Sequence, residues 1–269
     1  MKRLHRLAAA ALGPRAGFAA VALAAAVPSR SWHKPLIAAR GTWDIAGLHP
    51  RLSARGSALR SSLSPTPLCL LMARHGSDKG LRRHNYTVLY DAILARERPR
   101  VGRLFELGIG TADVTLRSHM GRAGRPGASL RAWRDYFPSA HIFAADIDRN
   151  VLFAEDRIAC FHCDQTDPES VRALWANPAL ALPFDVIIDD GLHELGANRC
   201  FLEHSFAQLA PGGLFIVEDV LASQLPAWES FLGPWARGRP GLAWAVVEMH
   251  HPFNAADNNL VLIRNGPAA

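Results

Sequence analysis

Acidic side chains stand at the ends of successive apolar runs in this chain of 269 residues. Asp190 ends one run, and Glu218 and Asp219 end the next. If the runs are neighbouring parallel strands about 4.8 Å apart, these carboxylates meet at one sheet edge and can converge on one cation. A set of oxygen ligands suits a hard ion such as Mg²⁺. The sequence thus predicts a magnesium site; the alternative is that Glu218 and Asp219 only cap the following segment.

His193 follows Asp190 by three residues, where a helix is expected to begin. An imidazole beside a metal site can act as a general base toward a substrate hydroxyl. We predict this catalytic role for His193. The alternative is a histidine that bonds only to its own turn.

A glycine turn follows an earlier apolar run, with Gly108 and Gly110 directly after Glu106 and Leu107. A dinucleotide fold would place a third glycine where this chain has Asp113. Glu106 and Asp113 would repel a pyrophosphate but not a cofactor that carries a cationic sulfonium. A G-x-G pair alone also fits an ordinary turn between a strand and a helix.

Two further runs end in polar residues that suit a nucleoside. Asp146 and Asp148 stand where an acidic side chain can bind ribose hydroxyls. Asp164 and Gln165 are placed to hydrogen-bond an adenine. Asp148 and Asp167 also fit as helix caps.

Alternating strands and helices must position these residues. Strands are expected at Arg103–Leu107, Ile142–Ile147, Ile158–Cys163, Phe184–Asp189, Leu214–Glu218, Ala243–Met249 and Asn259–Arg264. Helices are expected at Thr111–His119, Leu130–Tyr136, Asn150–Asp156, Pro168–Ala176, Glu194–Leu209 and Pro226–Ala236. This order predicts an α/β fold with a doubly wound, mostly parallel, seven-stranded sheet. The last two strands have no long helix between them, which predicts an antiparallel hairpin at one edge.

Between His75 and Arg264 the chain resembles class I S-adenosylmethionine-dependent methyltransferases. It looks closest to the magnesium-dependent sugar O-methyltransferases of the macrocin and mycinamicin type. The matching pieces are His75–Gly80, His84–Tyr86, Tyr90, Phe105–Thr111, Ser129-Leu130, Trp133, Tyr136–Pro138, Ile188–His193, Gly212-Gly213 and Glu218-Asp219. The Asp-Asp-Gly-x-His stretch and the Glu-Asp pair are the more specific motifs.

The resemblance implies a Rossmann-like methyltransferase fold and an O-methyltransferase that acts on a hydroxyl of a glycoside, another polyol or a phenol. It implies that the cofactor is contacted by Glu106, Ser129, Asp146, Asp164 and Gln165, and less strongly by Tyr86, beside the glycines at 108 and 110. It assigns Mg²⁺ to Asp190, Glu218 and Asp219. We expect no separate N-terminal domain of the kind that some relatives carry, which leaves the choice of acceptor open.

Two other functions compete. A nucleotide-binding oxidoreductase is disfavoured by the missing third glycine and by the acids around the turn. A methyltransferase-like binding module without activity is disfavoured by the complete set of acidic residues together with His193.

The first 65 residues differ in composition from the rest. They hold ten basic side chains and one acidic side chain, Asp44, whereas residues 66–269 hold 20 basic and 23 acidic side chains, a net charge of −3. An acid-poor, Arg-rich leader is typical of a transit peptide to a mitochondrion or plastid. A secretory signal, a disordered extension and a misplaced start codon are the alternatives, and without a leader the protein would be cytoplasmic. We expect a leader at 1–65 and a methyltransferase domain at 66–269.

Charge, the length of the apolar run and cysteine spacing argue against a nucleic-acid partner, a membrane span and a cysteine metal or redox site. The mildly acidic domain disfavours nucleic acid, and the apolar run at 17–27 is too short to span a membrane. Cys160 and Cys163 are three residues apart on a predicted strand, so they point to opposite faces and are expected to be ordinary reduced thiols. The expected partner is a small hydroxyl acceptor; a homo-oligomer is left open.

Overall fold

One mixed sheet forms the centre of the protein. The structure, a computed structural model, describes residues 37–43, 66–80, 83–249, 251 and 254–266. The strands of this sheet are β1 (Ile37–Gly41), β2 (Arg103–Leu107), β3 (His141–Asp146), β4 (Ala154–Glu155), β5 (Ile158–His162), β6 (Phe184–Asp189), β7 (Leu209–Val217), β8 (Ala243–Met249) and β9 (Asn259–Arg264). Their order across the sheet is β1-β8-β9-β7-β6-β2-β3-β5-β4.

The five central strands, β7, β6, β2, β3 and β5, are parallel. The outer strands β9, β8 and β1 on one side, and β4 on the other, pair antiparallel. The central runs are apolar throughout because both faces of these strands are buried. The predicted α/β fold class with a parallel centre is therefore confirmed, but the sheet has nine strands rather than the predicted seven.

Helices cover both faces of the sheet. They are α1 (Pro67–His75), α2 (Tyr86–Leu94), α3 (Ala128–Tyr136), α4 (Pro168–Trp175), α5 (Leu195–Ser205) and α6 (Leu225–Arg237). The first three pack on one face through side chains such as Met72, Leu89 and Trp133. The other three pack on the opposite face through side chains such as Phe201 and Trp228.

Two predicted helices are wrong. Residues 111–119 form turns rather than a helix, because Asp113 accepts hydrogen bonds from its own neighbour Thr115 and Met120 N donates to Thr111 O at 2.8 Å. The expected helix at 150–156 is a short 3₁₀ turn at Arg149–Val151 followed by β4. In both places short polar side chains bond to nearby backbone and so compete with helix hydrogen bonds.

The strands β1 and β4 were not predicted. The antiparallel hairpin of β8 and β9 is present, but it lies inside the sheet because β1 pairs with β8 from Ile37 with Met249 to Gly41 with Ala245. The expected leader of residues 1–65 therefore includes a strand of the sheet, and the boundary at 65 and 66 is wrong for residues 37–43. The expectation for residues 1–36 lies outside the described residues.

The cysteines are ordinary thiols in this fold. All four are free, and burial raises the pKa of Cys160 to about 11 and that of Cys163 to about 12. Both thiols are therefore protonated near neutral pH and weak as nucleophiles or metal ligands. Within the described ranges, no helix is both long and apolar enough to cross a bilayer.

Candidate active site

A cleft of about 530 Å³ opens at the carboxyl ends of the parallel strands. Its wall includes the glycine turn after β2, the ends of β3 and β5, and the turn after β6. Open α/β sheets bind ligands at this edge. The cleft is lined by nine of the twelve sequence-predicted site residues: Gly108, Gly110, Ser129, Asp146, Asp164, Gln165, Asp190, His193 and Asp219. Lys79, which was not predicted as a site residue, also lines it.

Strand register explains why the motifs meet. Leu107 pairs with Asp189, and Asp189 pairs with Val217, so β2, β6 and β7 end at one level. The next residue on each strand is then Gly108, Asp190 or Glu218. Backbone bonds extend this level by one step, from Asp190 N to Leu107 O at 2.9 Å and from Glu218 N to Asp189 O at 2.9 Å.

The glycine turn needs glycine at position 108. Gly108 has a φ of +93°, and a Cβ there would lie 2.0 Å from the backbone oxygen of Asp190. Both the left-handed conformation and this close approach exclude a larger residue. The turn therefore brings the end of β2 directly against the start of the turn after β6.

Asp146 holds the glycine turn from the neighbouring strand. Its Oδ2 accepts from Ile109 N at 2.7 Å, and its Oδ1 accepts from Asp148 N at 2.9 Å. Burial raises the pKa of Asp146, although these backbone bonds oppose the shift. Asp148 caps the 3₁₀ turn through Asn150 N, as the cap alternative predicted, and also accepts from Thr111 Oγ1 at 2.6 Å.

Asp190, His193 and Asp219 form the cluster that faces the cleft. His193 Nε2 lies 3.3 Å from Asp190 Oδ1, and His193 Nδ1 lies 3.7 Å from Asp219 Oδ2. One ligand atom from each of these residues falls within 4.8 Å of the other two. His193 and Asp219 have positive φ values of 62° and 52°, a conformation that is costly for residues other than glycine and concentrates at functional sites.

The carboxylates set the charge of His193. Burial alone would lower the pKa of its imidazole, but the hydrogen bond to Asp190 and the charge of Asp219 raise it to about 9. Burial would raise the pKa of Asp190, but the charge of Lys79 and the hydrogen bond to His193 lower it. Without a bound cation, His193 is thus an imidazolium at neutral pH.

Glu218 is held inside the protein rather than at the cleft surface. Its Oε1 accepts from Tyr90 OH at 2.6 Å, and its Oε2 accepts from Lys79 Nζ at 2.5 Å. Lys79 Nζ also donates to Asp190 Oδ2 at 2.5 Å. Burial alone would lower the pKa of Lys79, but the surrounding carboxylates raise it well above its ordinary value.

Glu106 is fully buried behind the cleft. Its two oxygens accept from Ser129 Oγ and Trp133 Nε1, both at 2.5 Å, and Lys79 Nζ lies 3.6 Å away. Burial raises the pKa of Glu106. This carboxylate at the end of β2 therefore binds two side chains of α3 and fixes Ser129 at the cleft wall; its contact with a cofactor stays a prediction.

Tyr86 supports Asp219. Its hydroxyl donates to Asp219 Oδ1 at 2.8 Å and approaches Asp257 O at 2.9 Å. His84 Nδ1 lies 3.5 Å from the same carboxylate. The structure therefore places the Tyr86 hydroxyl against the predicted metal ligand Asp219; its weaker contact with a cofactor stays a prediction.

Gln165 and Asp164 lie at the far end of the cleft, after β5. The Gln165 amide donates to both oxygens of buried Asp189 and accepts from Leu192 N at 2.8 Å. Asp164 Oδ1 accepts from the backbone and hydroxyl of Thr166. Gln165 thus ties the turn after β5 to the turn that carries His193, and its predicted adenine contact is untested.

Lys79 and Tyr90 are site residues that sequence reasoning missed, although both lie within the matching motifs. One signal could have singled out Lys79: it is the only lysine after Lys34, and every other permanently cationic side chain after Lys34 is an arginine. Tyr90 carries no comparable signal, because an aromatic residue on a helix is most often a core residue.

No protein-family model matches the chain. Similar curated proteins include 8-demethyl-8-alpha-L-rhamnosyl tetracenomycin-C 2'-O-methyltransferase of Streptomyces olivaceus, 35% identical over 184 residues, which make up 67% of this chain and 45% of that protein. Demethylmacrocin O-methyltransferase of Streptomyces fradiae is 31% identical over 158 residues, 59% of this chain and 37% of that protein. The chain thus spans less than half the length of these two relatives.

Among solved structures, the mycinamycin-pathway methyltransferase MycE in complex with Mg and SAH aligns with a TM-score of 0.58 and 24% identity. The alignment covers 78% of this chain and 58% of MycE. The expected resemblance to macrocin- and mycinamicin-type enzymes is confirmed, and the chain has the Rossmann-like methyltransferase fold.

Proposed function

We propose that this protein is an S-adenosylmethionine-dependent, Mg²⁺-dependent O-methyltransferase that acts on a hydroxyl of a glycoside or another small polyol or phenol. One observation carries the proposal. Asp190, His193 and Asp219 converge on a cleft that is also lined by the glycine turn of Gly108 and Gly110. A proton acceptor and hard-cation ligands therefore face the place where the fold holds a cofactor.

The cofactor wall suits a cationic sulfonium. Gly108 and Gly110 allow a ligand to approach the backbone, and Asp146 and Asp164 line the same cleft. These acids favour a positive ligand and disfavour a pyrophosphate, which argues against the oxidoreductase alternative. When bound, S-adenosylmethionine supplies the activated methyl group.

The donor set fits a hard divalent cation. Asp190 and Asp219 offer carboxylate oxygens beside His193, and Glu218 lies next to them along the sheet edge. Asp190, Glu218 and Asp219 are the carboxylates that would hold the cation, although both oxygens of Glu218 bond to Lys79 and Tyr90 in this structure. When bound, Mg²⁺ supplies Lewis acidity, which lowers the pKa of an acceptor hydroxyl.

His193 has the position of a general base. Asp190 and Asp219 hold its two ring nitrogens, so the ring is oriented at the cleft surface. In its neutral form it would accept the proton of the acceptor hydroxyl, and S-adenosylmethionine, when bound, would supply the methyl group to that oxygen. The turn after β6 thus carries both a proposed ligand and the base, which keeps proton acceptor and acceptor oxygen close together.

The acceptor class follows from the similar proteins. The curated relatives include enzymes named for O-methylation of sugars on tetracenomycin, oleandolide and mycinamicin. A complete acidic cluster with a histidine disfavours an inactive binding module. The net charge of −3 over residues 66–269 disfavours nucleic acid as the acceptor.

The experiment is a methyl-transfer assay with the full chain, S-adenosylmethionine and a panel of glycoside and catechol acceptors, with Mg²⁺ or with EDTA. We expect a methylated product that requires Mg²⁺ and is lost in Asp190→Asn, while the exposed control Asp156→Asn retains activity. Full activity in EDTA contradicts the metal, and a nicotinamide cofactor retained by the purified protein contradicts the reaction.

We also propose that the N-terminal segment addresses an organelle, on the strength of its acid-poor, Arg-rich composition alone. N-terminal sequencing of protein from its native cell should then find a start after Met1. Because β1 belongs to the sheet, we expect that start at or before Ile37. An intact Met1 on the mature protein contradicts a cleaved leader.

A further inference from the structure

A single ammonium group joins the ends of three adjacent strands. Lys79 Nζ lies 2.5 Å from Asp190 Oδ2 after β6, 2.5 Å from Glu218 Oε2 after β7, and 3.6 Å from Glu106 Oε1 on β2. The residue is 2% exposed. Carboxylates buried this closely repel one another, so the lysine charge compensates them where water cannot.

The backbone fixes Lys79 at this position. It lies in the connection between α1 and α2, where Lys79 N donates to Ser77 Oγ at 3.3 Å and Thr87 N donates to Lys79 O at 3.4 Å. Both helices are anchored on the sheet by buried side chains. The ammonium therefore reaches the strand ends from a rigid support.

A lysine suits this position between three carboxylates better than an arginine would. Lys79 is the only lysine between Lys34 and the C-terminus, in a region where the other permanently cationic side chains are arginine. A compact ammonium can sit between carboxylates at equal distances, whereas a planar guanidinium binds one carboxylate side-on. An arginine would not fit this arrangement without moving the strand ends.

The ammonium uses oxygens that a metal would need. Asp190 has one oxygen near His193 and the other on Lys79, and Glu218 has one oxygen on Tyr90 and the other on Lys79. A divalent cation bound to these carboxylates either takes an oxygen from the ammonium or lies close to its positive charge. Both situations oppose metal binding, since like charges a few ångströms apart repel strongly in a partly buried site.

We propose that Lys79 is the resident counter-cation of the metal site: it positions Asp190 and Glu218 in the metal-free protein and gives up at least one of them when a divalent cation binds. Lys79 is thus a positioning residue that sets the affinity for metal. The inference rests on the proposed metal site. It implies that the protein holds its carboxylates in place before metal arrives, at the expense of tight metal binding.

The first test compares Mg²⁺ affinity by calorimetry in the full-length wild type, Lys79→Met and Arg83→Met. Arg83 is an exposed cation on the same cleft, so its loss controls for a general change in charge. We expect Lys79→Met to bind Mg²⁺ about tenfold or more tightly than the wild type, and Arg83→Met to differ little. Equal or weaker binding by a folded Lys79→Met overturns the inference, whereas a wild type that binds no divalent ion overturns the proposed metal site instead.

A second test uses the wild type and does not depend on whether the variant folds. With ¹⁵N-labelled lysine, the chain gives side-chain ammonium signals from Lys2, Lys34 and Lys79 only. We expect one signal protected from solvent exchange without metal, and we expect that signal to shift or disappear as Mg²⁺ binds. It is assigned to Lys79 by its retention in Lys2→Arg and Lys34→Arg. A protected signal that stays unchanged while calorimetry shows Mg²⁺ binding overturns the inference.

Discussion

His193 and Lys79 both place a positive charge beside Asp190, but only the imidazole can lose its proton at moderate pH. The carboxylates raise the pKa of His193 to about 9, so the metal-free protein holds it as a cation. A raised pKa in the folded state means that this charge stabilises the fold fully below the ordinary pKa of 6.5. That contribution is lost as pH rises from 6.5 through 9.

Loss of the imidazole should slow catalysis and alter its pH dependence. We predict that His193→Ala reduces kcat by about 10²–10⁴ and removes the rise in rate as the histidine becomes neutral, because a general base must be unprotonated. The measurement is kcat against pH, with Mg²⁺ affinity by calorimetry. His141→Ala, an exposed histidine at the opposite end of β3, is the control and should leave both unchanged. A variant that loses metal binding in proportion to its rate would show that His193 is a ligand.

Asp146 has a structural role in addition to its proposed contact with ribose. Since its carboxylate accepts from the backbone of Ile109 and Asp148, its removal leaves buried N–H groups unpaired. We predict that Asp146→Ala weakens S-adenosylmethionine binding by about 1–3 kcal/mol. Calorimetry on the full chain checks this, with exposed Asp156→Ala as the control. Equal affinity in Asp146→Ala would remove this carboxylate from the site.

At the level of elements, the contact between the glycine turn and the turn after β6 determines whether the cleft forms. We predict that Gly108→Ala destabilises the protein by at least about 2 kcal/mol, because its Cβ would overlap Asp190 O and its φ is positive. Gly196→Ala in α5 is the matched control, since no atom lies within 4 Å of its added Cβ. That control should leave stability unchanged or raise it by up to about 1 kcal/mol. Denaturant unfolding measures both; a Gly108→Ala as stable as the control would contradict the close contact.

The strands were predictable because central parallel strands are long apolar runs that end at Gly, Pro or acidic residues. From the strand ends alone, Asp190, Glu218 and Asp219 could be predicted to lie at one edge of the sheet. The structure of residues 111–119 could not be predicted in the same way. Their sequence has a helical pattern, but local hydrogen bonds to Asp113 and Thr111 form turns in place of a helix. Lys79 lay beyond this reasoning as well, since it meets Asp190 from 111 residues away in the chain.

For the whole molecule, β1 shows that the folded unit begins earlier than composition indicated. The strand has only five residues, ends in Arg40 and Gly41, and pairs with a strand about 200 residues later, so no local pattern identifies it. Beyond the strand pairing, Thr42 N and Trp43 N both donate to Trp244 O, and Arg40 pairs with Glu229 at 2.8 Å. These contacts cover the outer backbone of β8.

Two truncations should separate the strand from the residues before it. We predict that deletion of residues 1–36 leaves stability nearly unchanged, whereas deletion of residues 1–65 removes β1 and exposes β8 as an edge. Such an edge favours aggregation, and each kcal/mol lost should lower Tm by roughly 2–4 °C. Thermal unfolding and light scattering measure the two effects. Identical behaviour of both truncations would show that β1 adds nothing to the fold.

The close approach of Gly108 to Asp190 couples the glycine turn to the turn after β6. The glycine turn meets the backbone of Asp190, a proposed metal ligand, at this contact, and Asp190 N also donates to Leu107 O. A ligand that fixes one of these turns therefore reduces the freedom of the other. If the proposed cofactor and cation bind at these two turns, we expect their binding to be cooperative, and thermodynamic reciprocity then requires each to raise the affinity of the other by the same factor.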